Sequence, residues 1–395
     1  KHIILENASV AWRDERSPEK ETQFSDVKIE LKTNLQRLQI EADISLPEQL
    51  GQSLSVKMDV NGNILTPEWS GSVYIEVEKL NPTDLLNNFS IKSIGGIANI
   101  KLWTSWEQSR LINFNSELDY ATFSLSAGNY KLPVHNAVLK LFGERFQNKD
   151  WLLNIKLDEL HTTNGLWPAS NHQLLIKKDS NDNKQFDGYF SYLNLEDVLP
   201  FIIATNFIPD KAKKVFEKKS LKGELLDLNI SYQLDAQESS PIQLKTAFNN
   251  LEYISTDKNN SISGLKGSLT ANREKINIQL NNSSPEIKID SLYEDRLSFS
   301  DLNANLELVN SETVELIIHN LNIASLDLSV NSSGKIRFDK KSPFVDIVAH
   351  IDETNIENIP AYLPKKVIPN LHAWFNRALV GGKFLSGDLL FHGHS

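Results

Sequence analysis

The chain reads as an all-β protein: a mostly antiparallel sheet curled so that one face is sheltered, with a few short helices between sheet segments. Three observations predict this. Apolar and polar residues alternate with a period of two along most of the sequence. The alternating runs are apolar on one side only, whereas parallel strands covered by helices would be apolar on both. Clusters of Asn, Ser, Asp and Gly, such as SNDNK (180–184) and TDKNNS (256–261), separate the runs as turns do.

Taken in order, VKIELK (27–32) puts Val27, Ile29 and Leu31 on one side, and LSVKMDV (54–60) does the same with Leu54, Val56, Met58 and Val60. ELLDLNISYQL (224–234) sets Leu226, Leu228, Ile230, Tyr232 and Leu234 opposite Asp227, Asn229, Ser231 and Gln233. INIQL (276–280), EIKID (286–290), ANLELV (304–309), VELII (314–318) and SLDLSV (325–330) follow the same rule. All are expected to be strands.

Helical interruptions recur in similar settings. In 80–102, Asn81 is a candidate N-cap with Pro82 at the first helical position and Asp84 in the first turn. LNLEDVLPFI (193–202) leads to a second short helix at 209–219, and TNIENIPAYLPKK leads to LHAWFNRAL (371–379) before Gly381-Gly382 and a new strand. Each copy runs Asn, two residues, an acidic or amide residue, apolar residues, helix, Gly, strand. The spacing predicts a loosely repeated module in one continuous segment over 1–395, with sub-modules 1–79, 80–192, 193–353 and 354–395. In 371–379, Leu371, Trp374, Phe375 and Ala378 form one stripe. The expectation is that it packs on the sheet as a plug or joint; an amphipathic helix against a bilayer is the alternative, though without a basic polar face.

Composition narrows the function. The 395 residues carry 41 basic and 51 acidic side chains, a net charge of −10, which speaks against a nucleic-acid partner. There is no cysteine, hence no disulfide, zinc-thiolate site or thiol nucleophile. No window reaches the roughly 18 apolar residues of a membrane helix, and the greasiest stretch, 200–209, is interrupted by Thr205 and Asn206. The chain starts at Lys1 without a signal peptide and is expected to be an internal piece of a longer protein.

Chemistry is sparse. Ser-x-x-Lys occurs at Ser17, Ser25, Ser255, Ser263 and Ser332 without accompanying motifs, as chance predicts in a chain rich in both residues. There is no G-x-S-x-G elbow, and Gly381-Gly382-Lys383 follows a helix rather than preceding one. His392 and His394 share a strand face without a third ligand nearby in sequence. No catalytic residue, metal ligand or cofactor is expected, and the chain does not read as an enzyme.

Several local patterns resemble one family. LENASVAWRDE at the start, LPEQLG (46–51), WSGSVYIEV (69–77) and YLPKKV followed by a helix with Trp374, a Gly pair and a strand are similar, in this order, to the AsmA-like proteins of Gram-negative envelopes, YhdP branch. The resemblance implies an elongated, curled sheet forming a greasy, taco-like groove. It implies a periplasmic bridge between inner and outer membrane, anchored in the inner membrane through parts outside this segment. Its cargo would be phospholipid acyl chains, and its role the permeability barrier of the outer membrane. On that reading the groove is lined by Val56, Met58, Leu226, Leu228, Ile230, Ile278, Leu306, Leu308, Leu316, Ile318, Leu326 and Leu328. The same residues filling an ordinary β-sandwich core, in a structural scaffold of the envelope without lipid transport, is the competing expectation.

Overall fold

In the computed structural model, the described residues are 1–13, 21–34, 36–82, 92–146, 150–178, 184–204, 219–233, 242–255, 260–290, 293, 295–310, 313–339, 342–362, 369–378 and 380–394. Strands dominate, and every strand pair described is antiparallel. The helix expected after Asn81 would lie in 83–91 and the one at 209–219 almost wholly in 205–218, both outside these residues, while Lys92–Ile94 and Ile97–Glu107 are strands.

The chain divides into two compact units, Lys1–Gly188 with Leu199–Asn206, and Tyr189–Val198 with Phe207–Ser395. In the first unit the long strands His2–Arg13, Glu21–Thr33, Arg37–Ser45, Ser53–Asn61, Ser70–Leu80, Ile97–Glu107, Arg110–Ala127, Tyr130–Arg145, Trp151–Thr162 and Ser170–Lys178 each pair with the next. In the second unit Lys219–Gln233, Gln243–Ser255, Asn260–Ala271, Lys275–Ser283, Asp301–Asn310, Val314–Ala324, Ser329–Arg337, Phe344–Ile351 and Gly387–His394 follow the same rule. Among the described residues, His2–Arg13 pairs only with Glu21–Thr33 and Gly387–His394 only with Phe344–Ile351, so neither strand closes a barrel.

The strands are not uniform ribbons. Five residues outside glycine adopt a left-handed backbone where the register slips: Asn7 (φ 52°), Asp26 (49°), Lys79 (50°), Asp227 (50°) and Asn250 (49°). At each, the strand spends three residues where its partner spends two. Such a bulge bends the strand and sharpens its twist, and it reverses which side chains face which way beyond it. Asn and Asp tolerate this conformation better than most residues, because their short polar side chains bond locally.

Each unit has one core cluster. In the first, Ala98, Tyr120, Phe123, Leu132, Val134 and Ala137 are buried, and Phe201 of the helix Leu195–Ala204 packs against them. Phe201 meets Tyr130 edge-on at 5.2 Å between ring centroids. Asn194 caps this helix, its side-chain oxygen accepting from the Glu196 backbone N–H at 2.9 Å. In the second unit the cluster is Phe248, Leu280, Leu302 and Ala304. Nearby, the single helical turn Ile359–Tyr362 is held by Tyr362, whose hydroxyl bonds Ser325 Oγ at 2.7 Å and whose ring lies 6.2 Å from Phe299.

The helix Pro369–Ala378 forms as its stripe predicts, and the side chains of Leu371 and Phe375 in that stripe lie outside those described. Trp374 is 52% exposed and Ala378 is exposed. Among the described residues, the short turn ending at Tyr362 is tied to the sheet by the bond to Ser325; Tyr362 stands alone before a proline and is not singled out by the sequence.

Candidate functional site

Strand register turns the period-2 pattern into rows that run across the sheet. In the first unit one row reads Leu5, Ile29, Ala42, Val56, Ile75, Leu102, Ser116, Leu141, Ile155 and His172, each directly opposite the next. Beside it run Leu31, Ile40, Met58, Val73, Thr104, Phe114, Gly143, Leu153 and Leu174. Gly143 breaks the apolar row only formally, because the Phe114 ring lies over it where a Cβ would stand. With neighbouring strands about 4.8 Å apart, the nine steps of the first row span on the order of 40 Å.

The second unit repeats the arrangement. Ile230, Leu244, Ala271, Ile276, Leu308, Leu316, Ile336 and Val345 form one row. Leu269, Ile278, Leu306, Ile318, Gly334, Ile347 and Phe391 form the next. None of the four rows contains Asp, Glu, Lys or Arg. The one titratable member, His172, is buried, and loss of solvent pushes its pKa down and favours the neutral ring.

The opposite face is charged. Glu76 pairs with Lys101 at 3.4 Å, Glu117 with Lys140 at 3.2 Å, and Asp59 with the Arg37 guanidinium. Arg37 holds the Asp59 carboxyl below its ordinary pKa, with Gln39 adding a bond at 3.1 Å. Exposed pairs of this kind add little stability; they keep this face wet and so fix which side of the sheet is apolar.

The apolar rows are not sealed. Ile40, Met58, Val73 and Leu102 in the first unit, and Leu308, Leu316 and Ile336 in the second, remain part-exposed. Both core clusters are built from neighbouring strands, joined in the first unit by Phe201. Two facing sheets would interdigitate and bury both inner faces; these half-buried rows do not have that character.

Of the twelve residues expected to line a groove, nine stand on the apolar face of the sheet: Val56, Met58, Leu228, Ile230, Ile278, Leu306, Leu308, Leu316 and Ile318. Leu228 and Ile318 are the most deeply covered, each at 7% exposure. Leu226 does not join them. It stands opposite Ala247, which stands opposite Ser268, on the charged side, because the bulge at Asp227 intervenes. Its neighbour Leu225 takes the apolar side, packed against the Phe248 cluster. Leu326 is also misplaced, being 98% exposed at the tip of a turn. Residues 325–328 form that turn rather than a strand, with Ser325 Oγ accepting the Leu328 N–H at 3.0 Å and Leu328 half-buried beside it.

Sequence reasoning also missed the helix end pieces. Phe201 packs with Tyr130 against the first cluster and Tyr362 is held by Ser325 and Phe299, and only the repeated Asn-led spacing before each helix hinted at them. His392 and His394 do share a face, but Phe344 lies beside both rings and Asp346 bonds His392 at 3.0 Å. No cluster of three or more His, Cys, Asp or Glu placed to hold a metal occurs among the described residues. Tyr192, buried and facing Glu224 at 3.1 Å, has its pKa pushed up to about 12, chiefly by burial.

Fold and face together define a class: an all-β protein whose one-sided antiparallel sheet presents long uncharged rows to an unsealed side. The family model described as YhdP protein matches residues 1–395, and the chain belongs to that family of AsmA-like envelope proteins. No curated protein and no solved structure matches the chain. No helix among the described residues is long and apolar enough to cross a membrane.

Proposed function

We propose that the apolar face is a track for phospholipid acyl chains, and that this chain is a segment of a periplasmic bridge carrying lipid between inner and outer membrane. The observation that carries the reading is the continuity of uncharged rows from strand to strand in each unit. Membership in the YhdP family supports the envelope setting.

The physics favours a uniform track. Each methylene taken out of water is worth roughly 0.8 kcal/mol, so an acyl chain of about 16 carbons forced into water loses on the order of 10 kcal/mol. A half-open apolar face covers the chain at each step and lowers that barrier, while the head group stays in water at the lip. Residues such as Ile40, Met58 and Val73 would serve as interchangeable steps, since one deep site would trap the lipid. A charge in the row would add a barrier of several kcal/mol. Passive carriage of this kind uses no catalytic group and no cofactor. The membrane contacts and anchoring would be made by parts of the longer protein.

The test is native mass spectrometry of the purified protein, with organic extraction and lipid identification. Co-purified phospholipid that is lost in folded Met58→Asp and Leu316→Asp variants is the expected result. A folded protein that carries no lipid, or one that keeps its lipid in both variants, would return the weight to a scaffold role.

A further inference from the structure

The charged face carries a feature that lipid carriage does not use. One cross-strand row on that face reads Glu30, Glu41, Lys57, Tyr74, Trp103, Asn115, Phe142, Asn154 and Gln173. It places three aromatic rings among amides and charges, on the side away from the apolar rows. Trp103 is 39% exposed and tilts against Tyr74 at 5.2 Å between centroids.

Trp103 forms a ridge between two clefts. The larger has a volume of about 540 Å³ and is bordered by charged-face residues such as Gln39, Lys57 and Tyr74 and, between them, by Ile40, Met58 and Val73 of the apolar rows. The smaller, of about 360 Å³, is bordered by Asn115, Glu117, Lys140, Phe142, Asn154 and Lys156. Both volumes fall within the range of small-ligand sites. The walls hold four carboxylates (Glu30, Glu41, Asp59 and Glu117) and four lysines (Lys32, Lys57, Lys140 and Lys156), so the charges cancel.

From this the geometry points to a binding site for a linear, uncharged oligosaccharide lying across the strands, with Trp103 and Phe142 as stacking platforms. Three features select this class. A sugar ring presents an apolar C–H face that fits a flat aromatic surface, while its edge presents hydroxyls. The edge partners are already oriented: Tyr74 donates to Glu76 at 2.8 Å, Asp59 is fixed by Arg37 and Gln39, and Gln173 donates to Asn154 at 2.9 Å. A wall of balanced charge gives no advantage to a polyanion or polycation, but offers hydroxyls both donors and acceptors. The spacing also suits a repeating chain, because neighbouring strands lie about 4.8 Å apart, close to the rise of one pyranose unit. Phe142 is two strands from Trp103, so alternate sugar units would meet the two rings.

A purely structural Tyr74–Trp103 pair, such as sheets use to fix register, would need neither the exposed indole face nor a cleft on each side of it. The stacking rings stand on the charged face, and although Ile40, Met58 and Val73 also border the larger cleft, the sugar titration below reads this site without reference to lipid.

The experiment is calorimetric titration of the whole chain with chitotetraose and, in parallel, maltotetraose, with tryptophan fluorescence as the second readout. Saturable binding of at least one tetrasaccharide, weakened about tenfold or more in Trp103→Ala and reduced in Phe142→Ala, is the expected result. Trp12→Ala, on the edge strand, should bind as wild type, and circular dichroism should show all three variants folded. Absence of saturable binding by both sugars, or undiminished binding in folded Trp103→Ala, overturns the proposal.

Discussion

Leu225 and Leu228 face the same side of the sheet although they lie three positions apart. Leu225 stands opposite Phe248, and beyond the break Ile230 stands opposite Leu244 on that same apolar side. Asp227 supplies the extra residue, with φ 50° and its carboxylate accepting from the Tyr189 hydroxyl at 2.7 Å. Strict alternation would have put Leu226 with Leu228; one left-handed residue puts Leu225 there instead.

Substituting Asp227 tests that backbone directly. Asp227→Asn should change stability little, since Asn also accepts a left-handed conformation. Asp227→Val should cost about 1–3 kcal/mol, because a β-branched residue is strained at positive φ. Urea unfolding of both variants reads the difference, and equal midpoints would contradict the bulge.

Paired carboxylate substitutions test the two faces. Leu308→Asp places a charge within an uncharged row and should cost about 2 kcal/mol or more. Leu226→Asp, on the wet face, should cost clearly less. Denaturant midpoints decide, and the opposite order would mean the faces are assigned the wrong way round.

The end pieces can be separated by two aromatic substitutions. Tyr362→Phe removes the bond to Ser325 and should cost about 1 kcal/mol. Trp374→Asp, half-exposed, should stay within about 0.5 kcal/mol of wild type. A larger loss from Trp374→Asp than from Tyr362→Phe, seen by thermal unfolding, would restore the helix Pro369–Ala378 as the gripping element.

Phe201→Ala should loosen the first unit by about 2 kcal/mol, since its half-buried ring covers Tyr130 and its neighbours. Hydrogen exchange should rise first in Tyr130–Arg145 and Arg110–Ala127, the strands beneath it. Unchanged protection there would show that the ring covers nothing of consequence.

One histidine gives a pH signature at the last strand. His350 bonds Asp388 at 2.7 Å, with Asp352 at 3.8 Å and the uncharged Asn331 opposite it on the next strand. The Asp388 bond raises its pKa above the ordinary histidine value. Because the folded value is the higher, the pairing contributes fully below the unfolded pKa and fades as pH rises through the folded one. An NMR titration should show the His350 midpoint falling in Asp388→Asn; an unmoved midpoint would dismiss the pair.

Sequence alone determined that this is a strand protein with one apolar side. Runs such as LSVKMDV and INIQL contain that information in full, because a period of two fits a half-buried strand and nothing else of that length. It also determined the family, through motifs spread in order along the chain, whereas the helix Leu195–Ala204 lies in a stretch read only as the approach to a helix at 209–219.

Tertiary structure decided parity, closure and ends. The register slips between Val77 and Leu80, Phe248 and Leu251, and Leu226 and Asn229. Alternation alone could not say which residue of each slip bulges, since that depends on where the partner strand has one residue fewer. Leu326 was misread for a related reason: SLDLSV alternates, yet the hydroxyl of Ser325 closes a turn inside it. Whether an apolar face is buried, capped or left open depends on what is packed over it, and Phe201 and Tyr362 reach their places only when distant strands have set the surfaces they cover.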